Sequence, residues 1–130
     1  DAFAANDAES TRILQERAMA REACPRPWIA LFNSRADRPL RMKSFADDLL
    51  AESPYDLVAV TGDGRRLAHR YLRGKVRGKK IVVLPDALPP RLLGDLCRNA
   101  AWKECTIVGM GNEKSRGRSL SRLFRERGTR

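Results

Sequence analysis

The run Trp28-Ile29-Ala30-Leu31-Phe32 has no polar residue at any position. Successive side chains of a strand point to opposite faces, so a strand that is apolar throughout must be covered on both sides, as strands of a parallel sheet are. Largely apolar runs, each with a single polar residue, recur at 55–60, 80–84 and 105–108. Between them lie stretches with helical spacing. Leu40, Met42, Phe45, Leu49 and Leu50 mark one over 40–51, a basic one covers 65–72, and Pro89-Pro90 opens another through Leu92, Leu93, Leu96 and Cys97.

The ends of the chain fit the same alternation. Phe3-Ala4-Ala5 suits the last turn of a first buried strand and Asn6-Asp7 a polar corner. A helix over 11–23 follows, with Ser10 as its N-cap, stopped by Pro25 and Pro27. A final basic helix over 119–127 places Leu120, Leu123 and Phe124 on one side. Because parallel neighbours need a crossover, strands alternating with helices predict a Rossmann-like open α/β sheet, mostly parallel, with helices on both faces in three layers. The expected domain is 1–113, with 114–130 as its basic helix or tail. Asp1 already stands near the end of the first strand, which reads as one domain of a longer protein.

No apolar run approaches the roughly 20 residues that cross a bilayer, and no basic start precedes an apolar core, so a cytoplasmic location is expected. Cys24, Cys97 and Cys105 are odd in number and lack metal-ligand spacing, which suits small buried hydrophobes in a reducing compartment. The formal charge of +10 is unevenly placed. Eight Lys or Arg and no acid fall between Gly64 and Lys80, and seven against Glu126 alone between Lys114 and Arg130. Such blocks attract polyanions, unless they are simply solvated faces.

In an open parallel sheet, ligands bind beyond the carboxyl ends of the strands. Four polar corners fall there: Asn6-Asp7, 35–38, 61–65 and 109–113. Gly74-Lys75-Val76-Arg77-Gly78-Lys79-Lys80 is no phosphate loop, because it lacks one residue between the glycines and a Ser or Thr after the lysine, and it precedes a strand. The glycines of Gly109-Met110-Gly111 suit either a phosphate approach or a tight turn. His69 has no nucleophile at a strand end to serve, so no catalytic residue is assigned. Asp37 with Asp63 could hold a metal or orient an amine, or each could cap the helix after it; no metal site is assigned.

Taken together, three stretches resemble one family. Phe3-Ala4-Ala5-Asn6-Asp7-Ala8-Glu9-Ser10-Thr11, the corner Asn33-Ser34-Arg35-Ala36-Asp37-Arg38 followed by Phe45-Ala46 and Asp48, and Gly109-Met110-Gly111-Asn112 are similar to the C-terminal part of the poly-γ-glutamate synthase ligase subunit, the PgsB/CapB family, within the Mur ligase and folylpolyglutamate synthetase superfamily. The resemblance implies a Rossmann-like domain of an ATP-dependent acid–amino-acid ligase. Asp1, Asn6 and Asp7 would touch nucleotide, with Asp7 standing where most of the superfamily has proline. Arg35, Asp37 and Arg38 would contact phosphate or carboxylate, and Asp63, Arg65, Asn112 and Glu113 the incoming amino acid. ATP and Mg²⁺ are implied for the complete ligase, mostly bound by domains outside this chain, since no GxxxxGK[ST] occurs here. The implied partners are the N-terminal and central ligase domains, glutamate or poly-γ-glutamate, and membrane subunits of the synthase at the inner face of the membrane. Two other readings are a basic nucleic-acid-binding module and a structural domain docking to a membrane complex. Nucleic acid is disfavoured because aromatic residues are only 6% and scarcely interleave with the basic blocks.

Overall fold

The computed structural model describes residues 7–21, 24, 26–52, 54–76, 78–85, 91, 94, 96, 105–111 and 122. Among these residues four strands, β1 (Trp28–Asn33), β2 (Leu57–Thr61), β3 (Lys80–Val83) and β4 (Thr106–Gly111), form one parallel sheet in the order β3-β2-β1-β4. β1 pairs with β2 from Ile29↔Leu57 to Asn33↔Thr61 and with β4 from Trp28↔Thr106 to Asn33↔Gly111. The chain thus builds outward from β1 to β3 and then returns to the far side of β1. The strand order reverses between β1 and β4.

The pleat divides the core in two. Ala30, Phe32, Val58, Val60, Val108 and Met110 face the helical layer, where Met42, Phe45, Leu49, Leu50, Ala68 and Leu72 cover them. Ile29, Leu31, Leu57 and Ala59 face the other way, against Leu84 and Leu96 with half-buried Val82, Cys105 and Ile107. Leu96 is helical and wholly buried, so helical structure covers both faces, as a run of uninterrupted apolar strands requires. Burying each of the larger side chains contributes about 2 kcal/mol. At the amino edge, Arg26 pairs with Asp56 at 3.0 Å and stacks over Trp28, while Asp56 also accepts the Trp28 N–H at 2.8 Å.

Among the described residues three helices lie on the first face: α1 (Ala8–Met19), α2 (Pro39–Phe45) and α3 (Arg65–Lys75). α2 runs straight into a π-helical segment, Ala46–Leu50, closed by the Ala51 N–H on the Ala46 carbonyl at 2.9 Å. The expected helix over 40–51 is therefore one element with two windings. α1 begins earlier than its sequence suggests. Asp7, not Ser10, is the N-cap, because a carboxylate is the better acceptor for the free N–H groups of a first turn. The helix also ends at Met19, ahead of the prolines. Its buried stripe is Ala8, Thr11 and Gln15, whereas Ile13 and Leu14 are exposed. Gln15 is held by the buried Tyr55 hydroxyl, which donates to its Oε1 at 2.6 Å, and burial pushes the Tyr55 phenol up.

β4 extends past the expected 105–108. Gly109, Met110 and Gly111 pair with Leu31, Phe32 and Asn33, because β1 is long enough to template them and Met110 finds a fully buried place. Cys24 and Cys105 are half-buried rather than buried, with the Cys24 thiol 3.6 Å from the Thr106 hydroxyl. The expected first strand, the final basic helix apart from helical Arg122, Cys97 and most of the helix after Pro90 lie outside the described residues.

Candidate functional site at the carboxyl edge

The apolar runs of β1 and β2 both close on a buried polar residue, Asn33 and Thr61, which are register partners. Beyond them the two corners are joined by three hydrogen bonds. Ser34 N–H donates to the Thr61 carbonyl at 2.9 Å, Gly64 N–H to the Ser34 carbonyl at 2.9 Å, and Ala36 N–H to Asp63 Oδ1 at 2.8 Å. Such close backbone approach leaves no room for side chains. A Cβ on Gly62, whose φ is +92°, would stand 2.4 Å from the Ser34 carbonyl oxygen, and one on Gly64 2.7 Å from the Arg35 carbonyl carbon.

This joined pair of corners carries the cations. Arg35 Nη2 donates to Asp37 Oδ2 at 2.6 Å, which orients the guanidinium while its side chain stays 23% exposed. Arg38, the N-cap of α2, is exposed, and its side chain makes no hydrogen bond or ion pair with a described residue. Arg65 turns back and donates from Nη1 to the Gly62 carbonyl at 3.0 Å. The corner therefore presents one oriented and one unengaged guanidinium. That pair can receive a carboxylate or phosphate through planar, charge-assisted donors.

The structure adds to several expected roles. Asp7, exposed, caps its helix: Oδ1 accepts the Ser10 N–H at 2.7 Å and Oδ2 the Ser10 hydroxyl at 3.0 Å, and the backbone bond above all lowers its pKa. Neither Asp37 nor Asp63 caps a helix, since the N-caps of α2 and α3 are Arg38 and Gly64. Nor do the two acids form a pair: Asp37 binds Arg35, while Asp63 ties the β2 corner to the β1 corner. Among the described residues no group of three His, Cys, Asp or Glu could hold a metal ion. Asp1, Asn6, Asn112 and Glu113 lie outside the described residues.

The glycine that ends β4 is explained by the backbone. Gly111 has φ +99°, and a Cβ there would stand 2.4 Å from the Asn33 carbonyl oxygen, so β1 and β4 meet too closely for any other residue. This is the point where the strand order reverses, which is where ligands enter open α/β sheets. Sequence reasoning placed Asn33 and Thr61 in their corners but gave neither a role of its own. Thr61 Oγ1 is fully buried and has no hydrogen-bond partner in the described structure, an arrangement that costs stability and calls for a reason. The legible signal was a polar residue closing each apolar run. A separate groove of about 510 Å³, lined by Asp7, Glu9, Arg12, Asp47, Asp48 and Glu52, lies between α1 and the π-helical segment and shares no residue with the joined corners.

Comparison with curated proteins and with solved structures found no match. The family model described as the poly-gamma-glutamate synthase CapB C-terminal domain matches residues 1–127, which include every strand, every corner and the whole α3 helix. The chain, whose parallel sheet carries its cationic corner at the carboxyl edge, belongs to the family of CapB C-terminal domains of poly-γ-glutamate synthase.

Proposed function

We propose that this domain completes the active site of an ATP-dependent ligase that joins glutamate to a growing poly-γ-glutamate chain, with the carboxyl edge of the sheet facing the domain that holds the nucleotide. The observation that carries the reading is the β1 corner, where Arg35 is oriented by Asp37 and exposed Arg38 makes no side-chain hydrogen bond or ion pair with a described residue. Three bonds to the β2 corner fix that corner in place. An incoming glutamate offers carboxylates that these guanidinium groups would receive. Bound there, it would keep its amine free for an activated acyl group supplied from the partner domain. Asp63, through the Ala36 N–H, and Arg65, through the Gly62 carbonyl, hold the shape of the two corners.

The chemistry of this edge fits an anion and not a cation. Its described carboxylates are each engaged by a donor of this chain, Asp37 by Arg35 and Asp63 by the Ala36 N–H. ATP would supply the activating phosphoryl group, and Arg38 is the residue of this chain placed to steady an anionic oxygen on it. A nucleic-acid reading finds little support among the described aromatics. Trp28 is covered by Arg26, and the Tyr71 hydroxyl is tied to Asp47 at 2.9 Å.

The test is amide formation by the complete synthase carrying Arg35→Ala or Arg38→Ala. Losing a charge-assisted contact to a carboxylate should raise the KM for glutamate by about tenfold or more. Unchanged kinetics in both variants, with the fold intact, would remove the assignment.

A further inference from the structure

α3 leaves the β2 corner directly, and one side of it is a line of arginines. Arg66, Arg70 and Arg73 follow at intervals of four and three residues, so they share one face over about 10 Å of helix axis. All three are exposed, and half a turn away Ala68 and Leu72 are buried against the sheet. Nearby cations are engaged, Arg65 on the Gly62 carbonyl and Lys75 at 3.9 Å from Asp47. Arg66, Arg70 and Arg73 make no hydrogen bond or ion pair with a described residue. No acid occurs from Gly64 to Lys80, and exposed Lys80 continues the positive field onto the neighbouring strand β3.

We infer that this face of α3 is a docking track for the polyanionic product, the poly-γ-glutamate chain itself, leading away from the carboxyl-edge site. The inference rests on the ligase reading above and adds where the product lies. Three features favour this occupant. Guanidinium groups match carboxylates in planar, paired bonds, and the polymer carries one carboxylate per residue. Leu67, 47% exposed beside the stripe, offers an apolar contact to the methylene groups of a γ-linked main chain. The stripe also begins within a turn of the β2 corner, so the polymer behind the acyl group that meets the incoming glutamate would have α3 beside it. No Trp, Tyr or Phe is among the exposed residues of this face, Arg66, Leu67, Arg70, Arg73 and Gly74, and the one ring at its side, His69, is half-buried, so stacking platforms for bases are poorly supplied.

The test uses the full-length synthase protein that carries this chain and fluorescently labelled poly-γ-glutamate. Replacing Arg66, Arg70 and Arg73 together by Gln should weaken polymer binding by about tenfold at low salt, as the loss of three exposed ion pairs would. The triple Lys variant should keep most of the affinity, and added salt should reduce wild-type binding. Glutamate-dependent amide formation on a short acceptor should persist in the Gln variant, showing that the fold and the site survive. Equal polymer binding by wild type and the Gln variant would overturn the inference. So would a Gln variant that keeps the polymer but loses phosphatidylglycerol vesicles or single-stranded DNA, since the track would then serve a membrane or a nucleic acid. If the wild-type protein forms no glutamate-dependent amide, the ligase reading itself fails, and the product track with it.

Discussion

Three glycines give a graded test of how tightly the two corners are joined. Gly74 lies within α3 and an added Cβ there meets nothing within 4 Å; Gly78 has φ +75° but equally open surroundings; Gly62 has φ +92° and is crowded by backbone. Gly74→Ala should stabilise the protein by about 0.5 kcal/mol, because alanine restricts the unfolded chain and fits the helix. Gly78→Ala isolates the cost of a left-handed backbone for an L-residue, about 1–2 kcal/mol. Gly62→Ala adds to that cost a methyl group at 2.4 Å from the Ser34 carbonyl oxygen and 2.5 Å from Asn33 Oδ1. The Ser34 carbonyl cannot move freely, since Ser34 is bonded through its N–H to Thr61 and its carbonyl to Gly64. Overpacking of this kind costs a further ~1–3 kcal/mol, for a total near 3–4 kcal/mol. Urea unfolding followed by tryptophan fluorescence reads all three. With an m-value of roughly 1.5 kcal/mol/M, the Gly62 variant should lose about 2 M in midpoint. If Gly62→Ala costs no more than Gly78→Ala, the close approach of the corners is not a feature of the folded protein.

Two further outcomes are expected. Tyr55→Phe should cost about 1–3 kcal/mol by depriving the buried Gln15 Oε1 of its hydroxyl donor, whereas Tyr55→Phe with Gln15→Met should recover much of the loss, measured by the same unfolding curves. Asp7→Asn should keep the N-cap but alter its pH dependence. The Ser10 bonds hold the Asp7 carboxyl below its ordinary value of 3.8, so the ionised cap's contribution is complete above that value and is lost as pH falls through the lowered one. The difference in stability between wild type and the Asn variant should therefore shrink as pH is lowered through the acid range. A constant difference would show that ionisation of Asp7 does not matter.

The sheet was legible because its strands are apolar on both faces. Trp28 to Phe32 allows no solvent face, so a parallel, doubly covered strand follows from composition along the run. The strand-end corners were legible for a related reason: polar residues clustered at the ends of such runs have to lie at the edge. Individual roles were much less so. Asp7 is positioned both to meet a ligand and to cap α1, and only the helix start at Ala8 decides that it caps. Asp37 and Asp63 look like a pair in the sequence and are separated in space by what each one binds. Ile13 and Leu14 gave α1 an apolar pattern, but the rotation of the helix buries Thr11 and Gln15 instead, held by Tyr55 from 40 residues away.

The sequence by itself determined the α/β class, the alternation of elements and the cationic character of the β1 corner and of α3, because these depend on local spacing and on which side chains a strand or helix can bury. Strand order and register were decided only by tertiary structure, since every parallel neighbour is reached through a crossover whose direction local spacing does not encode. From that order came the reversal between β1 and β4, the close approach that requires Gly111, the bonds joining the β1 and β2 corners, and the exit of the α3 arginine stripe from the same edge.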